Sequence, residues 1–196
     1  LNLDRMTLAW VPGKDNTEFQ GRTLDEYVDQ IGLPVEEALY SLLIEERLAP
    51  LIVFNEGEDQ MIEPLLQHER CVIGSDGIYH DGGIVHPRVY GTAPRIIGPC
   101  VRDRKLFSLE DAVAKLTAKS ADAYGLKDRG RVVESAFADL VVFDPETVTD
   151  RATYEDPHQR AEGIDLVLVN GEVILDAGQP TEFDGPMPGR TLRYER

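Results

Sequence analysis

The run Cys71-Val-Ile-Gly-Ser-Asp-Gly-Ile-Tyr-His-Asp-Gly-Gly-Ile-Val-His-Pro-Arg88 constrains this chain more than any other stretch. A short apolar segment stops on Asp76 and opens into a loop crowded with His, Asp and Arg. Upstream, Leu51-Ile-Val-Phe54 is a second unbroken apolar run of the length expected for a strand buried on both faces. Between the two runs, Met61, Leu65 and Leu66 recur at helical spacing, although Pro64 predicts a late start or a kink. Strand, helix and strand in such quick succession read as a parallel crossover unit. In (β/α)₈ barrels, catalytic side chains sit where strands end and the next loops begin, so Asp76 is the first candidate catalytic residue.

Elsewhere the chain alternates helices and then strands. Thr23 followed by Glu26 fits a capping box, Gly32 supplies a stop, and Pro34 suits the first turn of the next helix. Val35, Leu39, Leu42 and Leu43 form that helix's expected apolar face. Ser108 is expected to cap a helix carrying Leu109, Ala112, Val113 and Leu116, and Ser120 a short one closed by Gly125. Strands are then expected at residues 131–133, 138–143, 167–169 and 172–175, with Asn170-Gly171 as a hairpin turn. The expected fold class is α/β: residues 1–125 form the last portion of a (β/α)₈ barrel, and residues 126–196 form a small antiparallel β-sandwich unit with a charged tail.

Composition excludes several function classes. Across 196 residues, 20 Lys and Arg oppose 36 Asp and Glu, a net charge of −16 that repels phosphate backbones and anionic membrane surfaces. Neither a nucleic acid nor a membrane is an expected partner. No window has the roughly 18 apolar residues of a membrane span, and a cytoplasmic setting is the expectation. Cys71 and Cys100 lie far apart without a CxxC pair, which points to small apolar packing rather than a disulfide or a cysteine-rich zinc site.

An aspartate at the end of a buried strand has reduced access to water, which disfavours its charged form unless a bound cation holds it ionised. Such a group can bind a metal through one oxygen and shuttle a proton from water to a leaving amine. Alternatively, Asp76-Gly77 is a turn or a cap. Arg88 has a guanidinium fork suited to a substrate carboxylate, or it locks the loop through a salt bridge. His80, Asp81 and His86 could be read as nitrogen and oxygen ligands. They lack HxH or HExxH spacing, and the alternative is one histidine facing the site with the other bonding within the loop. Ser75 lacks the GxSxG setting of a nucleophile. Ser75, His86 and Arg88 are the candidate substrate-binding residues, while Tyr90, Thr92 and Arg95 either line a pocket or pack it. Gly82-Gly83 gives the freedom of a lid or of an ordinary turn. His68 and His158 are expected at the surface.

Several motifs together resemble the later half of the D-aminoacylase family, the N-acyl-D-amino-acid deacylases of the amidohydrolase superfamily. They are Ile73-Gly-Ser-Asp-Gly77, His86-Pro-Arg-Val-Tyr-Gly-Thr92 with Pro94-Arg95 and Gly98, Gly125-Leu-Lys-Asp-Arg-Gly130, Ala138-Asp-Leu-Val-Val-Phe-Asp-Pro145 and Val167-Leu-Val-Asn-Gly171. The resemblance implies a zinc-dependent barrel with a small β-sandwich, acting on a small N-acyl amino acid. Asp76 would be the acid after the last strand, both a metal neighbour and the proton shuttle, and Arg88 the grip on the substrate's carboxylate. The HxH pair and the further Cys and His ligands of that family are not in this chain, so most zinc ligands are expected in a missing N-terminal part of the barrel. A complete barrel takes roughly 250 residues, and the chain alone is expected neither to hold catalytic zinc tightly nor to turn over substrate. Isoaspartyl dipeptidase or cyclic-amide chemistry is the nearest alternative; a non-catalytic binding module is another.

Overall fold

The computed structural model describes residues 2–183 and 185–192 and divides them into two compact units interleaved along the chain. One comprises residues 2–58, Asp76–Val89 and Thr153–His158; the other comprises Asp59–Ser75, Tyr90–Ala152 and the described residues from Gln159 onward. The fold is α/β, and every sheet among the described residues is antiparallel.

The first unit carries β1 (Met6–Trp10), α1 (Leu24–Ile31), α2 (Val35–Glu45) and β2 (Leu51–Phe54). Glu26 accepts the Thr23 N–H at 3.0 Å, as the box predicts, and Gly32 ends α1 at φ 70° with its N–H on the Val28 carbonyl. Met6 and Leu8 alternate inward from β1 onto Tyr27, Val28, Ala38 and Leu42, with Phe19 edge-on to Tyr27 at 4.9 Å. The buried stripe of α2 therefore runs through Ala38 and Leu42, rotated from the expected face, and Val35 and Leu43 are exposed. A buried Glu46 just beyond α2 accepts the Gly13 N–H at 2.6 Å and the Asn16 side-chain amide at 2.8 Å, which satisfies its carboxylate.

Residues 51–54 form the expected strand with a different partner. β2 pairs antiparallel with β1 (Met6↔Phe54, Thr7↔Val53, Leu8↔Ile52, Trp10↔Leu51), with a bulge at the Leu8/Trp10 step. It is half-buried rather than covered on both faces, and Phe54 is exposed. No strand forms at residues 71–74, so the predicted parallel crossover is absent among the described residues. The physical reason lies in that segment's backbone bonds. The Cys71 N–H goes to the His68 carbonyl, the Ile73 N–H goes to the Lys115 carbonyl, and the fully buried Lys115 ammonium bonds the His68 carbonyl at 2.6 Å.

The second unit contains α3 (Asp59–Gln67), most of α4 (Arg88–Ile97), a π-turn (Pro99–Asp103), α5 (Leu109–Leu116), α6 (Ala118–Ala123) and the strands β3 (Leu140–Phe143), β4 (Ile164–Val169), β5 (Glu172–Asp176) and β6 (Gln179–Pro180). Pro64 lies inside α3, where the bond it forgoes is to residue 60 in the first turns. Ser108 caps α5 by accepting the Asp111 N–H at 3.1 Å. Ser120 does not cap α6: the helix starts at Ala118, and the Ser120 hydroxyl donates to the Lys115 carbonyl at 2.7 Å. Ile96, Cys100 and Ala112 form the core, with Leu66, Ile73, Phe107 and Leu116 packed against them.

The strands form one meander, β3-β4-β5-β6, and Asn170 and Gly171 both take positive φ in the β4–β5 turn, as the dipeptide requires. Residues 131–133 remain irregular. Gly130 turns left-handed before them, and two bonds draw Arg131 to Asp122, leaving Val132 almost fully exposed without a ladder. Glycine is needed at two close approaches. A Cβ at Gly98 would lie 2.0 Å from the Val148 carbonyl oxygen, and one at Gly163, where φ is 74°, would lie 2.4 Å from the Val148 nitrogen. No helix among the described residues is long and apolar enough to cross a membrane.

Candidate active site

The loop from Asp76 to Val89 belongs wholly to the first unit and brings three of the expected site residues together. Arg88 holds Asp76 twice, through Nη2 to the carboxylate at 2.7 Å and through Nε to the main-chain carbonyl at 2.9 Å. The Asp76 backbone sits at φ 47°, a left-handed conformation that aspartate tolerates better than most residues. Its side chain is 78% exposed, so the expected shielding from water is not found in this chain. No strand buries the preceding segment, and water reaches the carboxylate.

His86 sits behind this pair. Its Nδ1 accepts the Arg88 N–H at 3.0 Å, and its Nε2 lies 3.0 Å from the Tyr154 hydroxyl, the two rings meeting edge-on at 5.1 Å. A backbone N–H can only donate, so Nδ1 is unprotonated and a neutral ring carries its hydrogen on Nε2, facing the tyrosine oxygen. Burial, reinforced by the Arg88 charge and opposed by Asp76, lowers the imidazole's pKa, which favours this neutral form. Nothing local in the sequence signals Tyr154: it lies 68 positions from its partner.

His86 and Arg88 also line a recess of about 120 Å³ whose remaining walls are Ala9, the whole of β2, Ile78 and Ile84. The Ile84 N–H bonds the Ala9 carbonyl at 2.8 Å, which seats the loop along β1. His80 stacks on Trp10 with ring centroids 4.3 Å apart, and its carbonyl accepts the Gly83 N–H, closing a turn through an exposed Asp81 and a left-handed Gly82. Ser75 is exposed in the irregular approach to Asp76. His68 and His158 are exposed, as expected.

A tetrahedral zinc site takes three or four nitrogen, sulfur or oxygen ligands. No group of three or more His, Cys, Asp or Glu side chains suited to a metal occurs among the described residues. Asp76 can offer an oxygen, but its carboxylate is engaged by a guanidinium, and these residues do not by themselves fit a zinc ion.

The remaining motifs singled out in the sequence serve the framework of the second unit. Arg95 bonds Asp150 at 2.8 Å and so anchors rather than lines a pocket. Arg129, from the Gly125–Gly130 motif, is buried and reaches Asp139 and the Asn170 side chain, with its guanidinium 4.4 Å from the centre of the Phe137 ring. Asp139 in turn accepts the Asn170 N–H at 2.7 Å, so three sequence-distant motifs meet at one ion pair and one hairpin.

The amidohydrolase family pattern matches residues 61–175. The chain is 41% identical over 188 residues to D-aminoacylase of Alcaligenes xylosoxydans xylosoxydans, covering 96% of this chain and 37% of that protein. It is 37% identical over 194 residues to N-acyl-D-glutamate deacylase of the same organism, covering 98% of this chain and 37% of that one. Among solved structures, N-acyl-D-glutamate deacylase from Bordetella bronchiseptica, complexed with zinc and a phosphonate inhibitor that mimics the tetrahedral intermediate, superposes with a TM-score of 0.77 at 33% identity. That match covers 91% of this chain and 37% of the other. The chain thus spans a little over a third of the length of these relatives.

Proposed function

This chain belongs to the amidohydrolase family, and from that premise we propose that it is part of a zinc-dependent enzyme hydrolysing the N-acyl amide bond of N-acyl-D-amino acids. The observation that carries the proposal is the Asp76–Arg88 pair at 2.7 Å, beside a recess whose walls are mainly apolar. A carboxylate and a guanidinium are the two groups this reaction needs from one wall of a site: an acceptor for a water proton, and a fork for the carboxylate every such substrate carries. The similarity to two deacylases of N-acyl-D-amino acids supports the same substrate class.

In this proposal Asp76 accepts a proton from the attacking water and passes it to the departing nitrogen. Arg88 exchanges its partner, from the Asp76 carboxylate to the substrate carboxylate, and the recess takes an uncharged part of the substrate. Ser75 and His86 contribute contacts around it. Asp76 would offer one oxygen to a zinc ion held mainly by ligands outside this chain, and that ion would supply Lewis-acid chemistry. Residues 1–125 would then be the closing portion of a (β/α)₈ barrel, and residues 126–196 part of its β-sandwich.

The test uses the intact, zinc-loaded protein that carries this sequence, assayed on N-acyl-D-amino acids, isoaspartyl dipeptides and cyclic amides. We expect turnover of the first class, and a loss of roughly 10²- to 10⁴-fold in kcat for Asp76→Asn. Preferential turnover of either other class, or an Asp76→Asn enzyme of undiminished kcat, would contradict the proposal.

A further inference from the structure

We infer that Tyr154 is a positioning residue for the carboxylate grip of Arg88 and acts through His86. The inference rests on the role proposed for Arg88 and extends it to a segment with no motif of its own. The geometry is a short chain of bonds, with the Tyr154 hydroxyl 3.0 Å from His86 Nε2, and His86 Nδ1 accepting the Arg88 N–H at 3.0 Å. Both ring nitrogens are engaged, so the imidazole cannot turn without losing a bond at each end. Arg88 is the first residue of α4, where a backbone N–H has no partner within the helix, and His86 supplies that partner. The ring therefore fixes the point from which the guanidinium reaches out. Tyr154 fixes the ring, both through its hydroxyl and by edge-on packing at 5.1 Å. The segment Thr153–His158 belongs to the same compact unit as the loop, although the chain on either side of it belongs to the other. It is held in shape by a turn in which the Asp156 N–H bonds the Thr153 hydroxyl at 3.0 Å, and by a buried Pro157. A stray surface crossing would not need such anchoring beside a histidine that holds the Arg88 N–H.

A positioning role makes a claim that a general loss of stability does not. Misplacing the fork weakens recognition of a substrate's carboxylate without touching the chemical step, so KM rises while kcat holds. In the intact zinc-loaded protein, Tyr154→Phe should raise KM for an N-acyl-D-amino acid by about 3- to 10-fold, the size of one lost hydrogen bond. It should leave KM for the corresponding carboxamide unchanged. His86→Asn keeps an acceptor near the Nδ1 position but cannot reach Tyr154. Because His86 also lines the recess, this variant should raise KM at least as much, and the double variant should be no worse than His86→Asn alone, as expected for residues acting in series. A readout independent of turnover is hydrogen exchange at the Arg88 amide, which Tyr154→Phe should accelerate while the β4–β5 amides keep their wild-type rates. Equal losses on acid and amide, additive effects in the double variant, or unchanged exchange at Arg88 would overturn the inference. The two levels separate cleanly. If the wild-type protein does not prefer the acid over the amide, the role of Arg88 falls and the inference falls with it. If the preference exists and Arg88→Gln abolishes it but Tyr154→Phe leaves it intact, only the role of Tyr154 falls.

Discussion

At the scale of single residues, the chemistry turns on groups whose partners are already taken. Arg88 occupies the carboxylate of Asp76, so the acid and its neighbour hold each other ready while both remain accessible to water. Arg88→Lys keeps the charge but loses the planar fork, and we expect it to raise KM for N-acyl-D-amino acids by roughly tenfold with less effect on kcat; unchanged KM would remove Arg88 from substrate recognition. His86 gives a pH dependence with a defined sign. Burial and Arg88 hold its pKa below the ordinary value. As pH falls below about 6.5 the unfolded chain binds a proton that the folded chain resists. Its stabilising contribution is therefore full above about 6.5 and is lost as pH falls through the depressed folded value. Urea unfolding followed across this window should show the loss in the wild-type protein and a smaller one in His86→Asn; parallel losses would contradict the assignment. The contact between Asp76 and Arg88 was legible because only 12 positions separate them. Tyr154 was not, because a contact across 68 positions leaves no trace in local spacing.

At the scale of elements, the sequence was most readable where a structure is decided by neighbours along the chain. The Glu26 half of the capping box, the Gly32 stop, the Ser108 cap and the Asn170-Gly171 turn all formed, each being a bond or a φ value set within a few residues. What failed was pairing. Leu51-Ile-Val-Phe54 specifies a strand but not its partner, and β1 reaches it across a helical connection, while Lys115 claims carbonyls at the neighbouring apolar run. Framework predictions belong here. Ser108→Ala should cost about 1 kcal/mol of stability through the lost cap. Gly163→Ala should cost more, about 2 kcal/mol or above, because a methyl would meet the Val148 backbone and φ is 74°. Arg129→Met should destabilise by about 3 kcal/mol, leaving Asp139 and Asn170 without their shared partner. Denaturant unfolding of each variant measures all three, and an unaffected Gly163→Ala would mean that Val148 does not pack as described.

At the scale of the whole molecule, two interleaved units carry different work. The second holds most of the motifs that carry the family resemblance and uses them for packing, caps and one buried guanidinium. The first holds the acid, the fork and the recess, and it draws on the chain at three separate places to do so. Neither holds a metal donor set among the described residues, although a related deacylase of the same family was solved with zinc. In the function we propose, the chain forms one wall of a site, giving proton transfer and carboxylate recognition, with the metal held mainly by residues outside it. The most direct test is zinc stoichiometry together with N-acyl-D-amino-acid hydrolysis for the purified 196-residue chain. We expect far less than one tightly held zinc per chain and no turnover; one zinc per chain with deacylase activity would overturn the proposed division of the site.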